Sequence, residues 1–180
     1  MEELIALDEA GRMVTTDREA LEREVAALLD GPADEPRGLR KAGVGLLVLG
    51  RREEALRVLT QALALADEKL SVAVHINLGD AWRYGGEFEA AEPHYQQALK
   101  LAEAVAPGML YFCFQHLGKQ RLDQGRTKEA RSLLERALRE QLAADDPSLT
   151  EATRTALRLV DETEAARAAR VVEAAWSPES

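Results

Sequence analysis

Cysteine is almost missing. Cys113 stands alone among 180 residues, which excludes an internal disulfide framework and a multi-cysteine zinc site and fits a reducing compartment. Aromatic residues make up only 4 %, and there are just twelve glycines and six prolines. No long stretch alternates Val, Ile or Thr with polar residues as a half-buried strand does. No run approaches 18 apolar residues, so no membrane span is expected. The first ten residues, MEELIALDEA, are acidic around a four-residue apolar run, which is not a secretory signal. The expectation is a soluble cytoplasmic protein.

Chemistry-bearing motifs are equally scarce. His75, His94 and His116 stand apart, with no H-E-x-x-H, and no glycine cluster continues into G-K-[ST]. Cys113 and His116 are three residues apart on one expected helix. A thiolate–imidazole pair is therefore the one catalytic candidate, and it lacks an orienting acid in the sequence nearby. The expectation is a non-enzyme without metal or cofactor.

What the chain does have is Ala, Leu, Glu and Arg, the best helix formers, in a sequence 46 % hydrophobic and 31 % charged. That composition points to an all-α fold. The net charge is −9 with a pI near 5.0, which argues against nucleic acid or an anionic membrane as partner. The charge is lopsided. Residues 1–35 hold eleven acidic residues against Arg12, Arg18 and Arg23, so −8 of the −9 lies there.

A repeat organises the rest. Glycines recur in pairs seven apart, Gly43/Gly50, Gly79/Gly86 and Gly118/Gly125. Twelve residues after each first glycine comes Ala55, Ala91 or Ala130; four later stand Leu59, Tyr95 and Leu134; three later come Ala62, Ala98 and Ala137, each followed by Leu. Two closely packed antiparallel helices need a small residue where their backbones approach, so the first glycine is expected to face the alanine. The second glycine is expected to close the first helix in a left-handed C-cap. In LGDAWRYGGEFEAA (residues 78–91), Trp82 then packs between helices, Gly85-Gly86 turn, Phe88 opens the second helix, and Tyr84 is left as a contact residue.

The pattern resembles the tetratricopeptide repeat, W-x2-L-G-x2-Y followed by A-x3-F at a period near 34. The second copy matches best. His75 replaces Trp, Leu78-Gly79 match, Trp82 replaces Tyr, and Ala91 with Tyr95 match A-x3-F. A degenerate fourth copy falls on Ala156, Leu159, Ala168, Val172 and Ala175, or residues 148–176 form one long helix. The copies are spaced by 36 to 39 residues, similar to kinesin light chain repeats, as is the Asp145-Asp146-Pro147 loop. Pro93 falls inside an expected helix, so a kink or a late helix start is expected there. The resemblance implies a right-handed α-solenoid of antiparallel helix pairs. Residues 1–35 would be acidic capping helices, about 36–71, 72–110 and 111–147 the repeats, 148–176 a degenerate repeat or cap, and 177–180 a disordered tail. Thr16-x-x-Glu19 and Ser148-x-x-Glu151 read as capping boxes. Ala165, Ala168, Ala169, Val172 and Trp176 share the face of a helix that would seal the stack.

The resemblance also implies a concave groove lined by the first helix of each repeat. Its members would be Arg37, Arg40, Lys41, Val44, Leu47 and Val48, then Ala73, Ile76, Asn77, Asp80, Arg83 and Tyr84, then Phe112, Gln115, His116, Lys119, Leu122 and Asp123. Five are basic and two acidic, so the expected groove is positive on an acidic protein. It suits an extended acidic peptide or a C-terminal carboxylate. Of the family's carboxylate clamp, Arg40 and Asn77 fit, His116 is a poor third, and Val44 and Phe112 stand where Asn and Lys belong. The function expected is a protein-binding adaptor; the alternative is a protein that self-associates, as a homodimer, through its terminal helices. Residues 1–35 either cap the array or fold back to shield its basic first repeat.

Overall fold

A computed structural model describes residues 1–32, 34–143 and 150–176. A 3₁₀ turn at Glu2–Leu4 leads into a two-stranded antiparallel hairpin, β1 (Ile5–Leu7) and β2 (Met13–Thr15), and then α1 (Arg18–Leu29). Three helix pairs follow: α2 (Pro36–Val48) with α3 (Arg52–Leu65), α4 (Glu68–Tyr84) with α5 (Phe88–Val105), and α6 (Leu110–Asp123) with α7 (Thr127–Ala143). The last element is α8 (Glu151–Trp176), one unbroken helix where the sequence left one or two open.

Each pair is built the same way. Gly50, Gly86 and Gly125 have φ of +79°, +78° and +72°. Beside them the backbone bonds repeat: Gly50 N–H to Leu47 O and Arg51 N–H to Leu46 O, with the same pairs at Gly86/Glu87 and Gly125/Arg126. These are three copies of one left-handed helix C-terminus, the geometry glycine adopts without a Cβ penalty. The other glycines fit the bulky residues most closely, and Gly118 also meets the expected alanine, Ala130 O lying 3.4 Å from a Cβ placed there. A Cβ on Gly43, Gly79 or Gly118 would come within 2.5–2.7 Å of Leu59, Tyr95 or Leu134. Ala55, Ala91 and Ala130 are fully buried alongside.

Start signals are local. Asp17, not Thr16, caps α1 by accepting from Ala20 N–H at 3.0 Å. Glu35 caps α2 ahead of Pro36 at the first helical position, and Asp67 accepts from Leu70 N–H at 2.7 Å to cap α4. α5 starts at Phe88 and runs through Pro93, so the late start does not occur. The second pair begins at Glu68, four residues before the expected boundary, and its helices of 17 and 18 residues account for the long spacing. The Ser148 capping box, the Asp145-Asp146-Pro147 loop and residues 177–180 lie outside the described residues.

Apolar cores run between successive layers, from Leu21, Leu46 and Leu59, through Ile76, Tyr95 and Leu117, to Leu134, Ala156 and Val160. Neighbouring first helices touch, α2 with α4 and α4 with α6, and α6 touches α8, so this row forms the inner side of the stack. Only the first half of α8 seals it, through Thr153, Ala156 and Val160. Ala165, Ala168, Ala169, Val172 and Trp176 are all exposed, contrary to the expected seal.

Candidate functional site

The position after each anchor glycine points along the inner side, and it differs between repeats: Val44, Asp80 and Lys119. Tyr95 explains the middle one. Its ring passes under Gly79, and its hydroxyl donates to Asp80 Oδ1 at 2.7 Å. Around the fully buried Asp80 gather His116 Nδ1 at 2.8 Å and Arg83 at 3.3 Å, and Arg83 reaches on to Asp123 at 3.2 Å. Burial alone would raise the Asp80 carboxyl, but the His116 ring and the Arg83 guanidinium hold it below the usual range. Burial lowers His116 against the opposing pull of the Asp80 carboxylate, with Lys119 and Arg83 adding to the fall, and Nδ1 donates to Asp80. Burial also brings Lys119 down to about 8.

The structure thereby corrects the expected open groove. Asn77, Asp80, Arg83, His116 and Lys119 are buried, with Gln115, whose amide donates to Thr153 Oγ1 at 2.7 Å across to α8. Arg83 is paired with Asp80 and Asp123, as a buried cation needs to be, and Lys119 is buried close by. Arg37 and Lys41 remain exposed, and Arg40, Tyr84 and Phe112 are half-buried. Phe112 meets the His116 ring edge-on at 4.4 Å. Arg40 Nη1 donates to Asn77 Oδ1 at 3.1 Å, so the two residues that fit the carboxylate clamp bond each other.

The hairpin occupies the inner side. Where the sequence reading put capping helices, residues 1–16 fold as this hairpin and only α1 caps the stack. Its turn is a three-residue loop: Gly11 N–H bonds Asp8 O, Asp8 N–H bonds Arg12 O, Asp8 Oδ1 accepts Arg12 N–H, and Gly11 has φ +70°. The tip, Ala10-Gly11, lies among Arg83, Lys119, Leu122, Asp123, Ala156 and Leu159. Met13 N–H donates to Tyr84 Oη at 3.1 Å, and Arg12 and Arg83 lie 5.6 and 5.0 Å from the Tyr84 ring. The contact residue left over in the sequence is thus taken by the chain itself. A cue was present: Leu4-Ile5-Ala6-Leu7 and Met13-Val14-Thr15 flank Asp8 and Gly11 at hairpin spacing.

Two open clefts flank the hairpin. One, of about 610 Å³, lies against α2 and is lined by Arg40, Lys41 and Val44 facing Met1, Glu3, Ile5, Met13 and Glu24. The other, of about 630 Å³, lies between β1 and the start of α8.

Residues 46–73 and 72–104 each match a family model described as tetratricopeptide repeat. With three glycine-anchored helix pairs around them, the assignment follows. The chain is a tetratricopeptide repeat protein. No curated protein matches it at significance. Among solved structures it is similar to the one titled "Crystal structure of BtubC (BKLC) from P. vanneervenii", at 19 % identity and a TM-score of 0.55, over 91 % of this chain and 74 % of that one. That likeness concerns the fold.

The catalytic candidate does not assemble in this tetratricopeptide repeat chain. Burial pushes the Cys113 thiol up to about 12, the wrong direction for a nucleophile. His116 Nδ1 is turned to Asp80, and among the described residues no hydrogen bond joins it to Cys113. Nor do the described residues gather three or more metal-ligating side chains. No described helix is long and apolar enough to cross a membrane.

Proposed function

We propose that this chain is a non-enzymatic adaptor that binds a polypeptide segment of a partner in the cleft between α2 and the hairpin. Tetratricopeptide repeats are protein–protein interaction modules, and the reading here concerns which surface is used. The observation that carries it is the placement of Arg37, Arg40 and Lys41 at i, i+3 and i+4 of α2, beside an open cleft of about 610 Å³. Elsewhere on the inner side Arg83 is paired with Asp80 and Asp123, and Lys119 is buried. An acidic segment or a chain-terminal carboxylate is the chemistry this row accepts.

Fluorescence anisotropy with a labelled acidic octapeptide tests it. Binding that weakens about tenfold or more in Arg37→Glu/Lys41→Glu, and weakens with salt, supports the reading. Equal affinity in both proteins, or no affinity in either, refutes it.

A second reading, self-association through α8, is favoured by Val171, Val172 and Trp176, which are 63 %, 65 % and 86 % exposed. Light scattering would show a mass that rises with concentration and becomes monomeric in Trp176→Glu. A constant monomer mass removes this reading.

A further inference from the structure

We infer that the outer edge of β1 is a separate interaction site, which accepts an extended segment of a partner protein as a third strand, and that this segment carries basic side chains. The register places the free groups. Thr16 N–H bonds Leu4 O at 3.0 Å and Asp8 N–H bonds Arg12 O at 2.9 Å, while Ile5 faces Thr15, Ala6 faces Val14 and Leu7 faces Met13. In an antiparallel ladder, hydrogen-bonded and non-bonded pairs alternate. The even positions of β1 therefore bond β2, and the N–H and C=O groups of Ile5 and Leu7 point the other way.

The two edges of the hairpin are not equivalent. Tyr84 Oη closes the edge of β2 by accepting from Met13 N–H. Along β1 the sheet has no further strand among the described residues. That edge instead faces the cleft of about 630 Å³, whose far wall is Glu151, Ala152, Thr155 and Arg158 of α8. A two-stranded ribbon this short is not stable by itself. The packing of Gly11 beneath Leu159 and the Met13–Tyr84 bond hold it as a fixed template.

Charge selects the occupant. The cleft sets Asp8, Glu9 and Glu151 against Arg158, so a strand with alternating apolar and basic side chains meets complementary groups. A second copy of β1 would bring its own Asp8 and Glu9 against these acids, which disfavours self-pairing. Main-chain bonds to Ile5 and Leu7 supply the affinity and the acids the specificity, the usual division in strand addition. This site does not depend on the α2 cleft.

The test is amide hydrogen exchange of the full chain, read by NMR, with a synthetic octapeptide alternating valine and lysine. A valine–glutamate octapeptide is the charge control. The expected result is exchange at Ile5 and Leu7 slowed about tenfold or more, Ala6 unchanged, and no effect of the control. Leu7→Pro removes an outward N–H without touching a β1–β2 bond and should abolish the protection. Should that variant disturb the hairpin, Glu9→Lys/Glu151→Lys, at two exposed positions, should weaken the lysine peptide and admit the glutamate one. Arg37→Glu/Lys41→Glu should change nothing. Binding without protection at Ile5 and Leu7, equal protection by both peptides, or no binding at millimolar peptide would each overturn the inference. Protection without peptide accompanied by a doubled mass would overturn it in favour of self-pairing.

Discussion

Substituting Gly79 by alanine sets two physical effects of opposite sign against each other. In an unconstrained helix the change stabilises by about 1 kcal/mol, because glycine is the poorer helix former. At this position the new Cβ would lie 2.5, 2.7 and 2.8 Å from Cε1, Cζ and Cδ1 of Tyr95. That ring is fully buried and its hydroxyl is tied to Asp80, so it has little room to yield. Overpacking a core costs about 1–3 kcal/mol. Loosening a hydrogen bond to an ionised group costs about 1.5–3 kcal/mol more. The net expectation is a loss of about 3 kcal/mol, read from the midpoint of urea unfolding followed by circular dichroism. Gly86→Ala is the control: it has open space but φ +78°, so its cost of about 1 kcal/mol is conformational. A neutral or stabilised Gly79→Ala would refute the claim that this glycine exists for the Tyr95 contact.

Three further outcomes follow from the geometry. His75 Nδ1 and His94 Nδ1 lie 3.1 Å apart, and burial, with the facing His94, lowers His75 to about 4. The neutral pair is the folded form, so its stabilisation is complete above the unfolded value of about 6.5 and is lost as pH falls towards 4; thermal melts should show the decline, and His75→Gln should flatten it. Tyr84→Phe removes the acceptor for Met13 N–H, so exchange at the Met13 amide should quicken several-fold while the α4–α5 pair keeps its protection. A thiol raised to about 12 and buried in the second core should resist iodoacetamide in the folded protein and react only after denaturant is added, whereas rapid labelling at pH 7.5 would contradict its placement.

The helix pairs were legible because their requirements are local. A left-handed C-cap and a close helix approach each demand glycine, so Gly43/Gly50, Gly79/Gly86 and Gly118/Gly125 announced the turns and the register together. The site was legible only as a row of positions. Whether Arg83, His116 and Lys119 face solvent depends on what closes over them, and the closing parts come from far along the chain. The Met13–Tyr84 bond spans 71 residues and the Gln115–Thr153 bond 38. Three-residue strands carry too little periodicity to stand out in an acidic segment. Asp80 reads as a surface acid until the Tyr95 hydroxyl and two neighbouring helices are seen to enclose it.

The central claim is that the exposed basic face of α2, beside the hairpin, meets a partner protein. Site-specific photocrosslinking tests this most directly, with a benzophenone amino acid at Arg37 in one protein and at Lys100, exposed on α5, in another. Each would be irradiated in lysate of the source cells and its products identified by mass spectrometry. The account predicts one acidic segment of one partner joined at position 37, absent at position 100 and lost when Lys41 is changed to Glu. The same products at both positions, or products at position 100 alone, would contradict it.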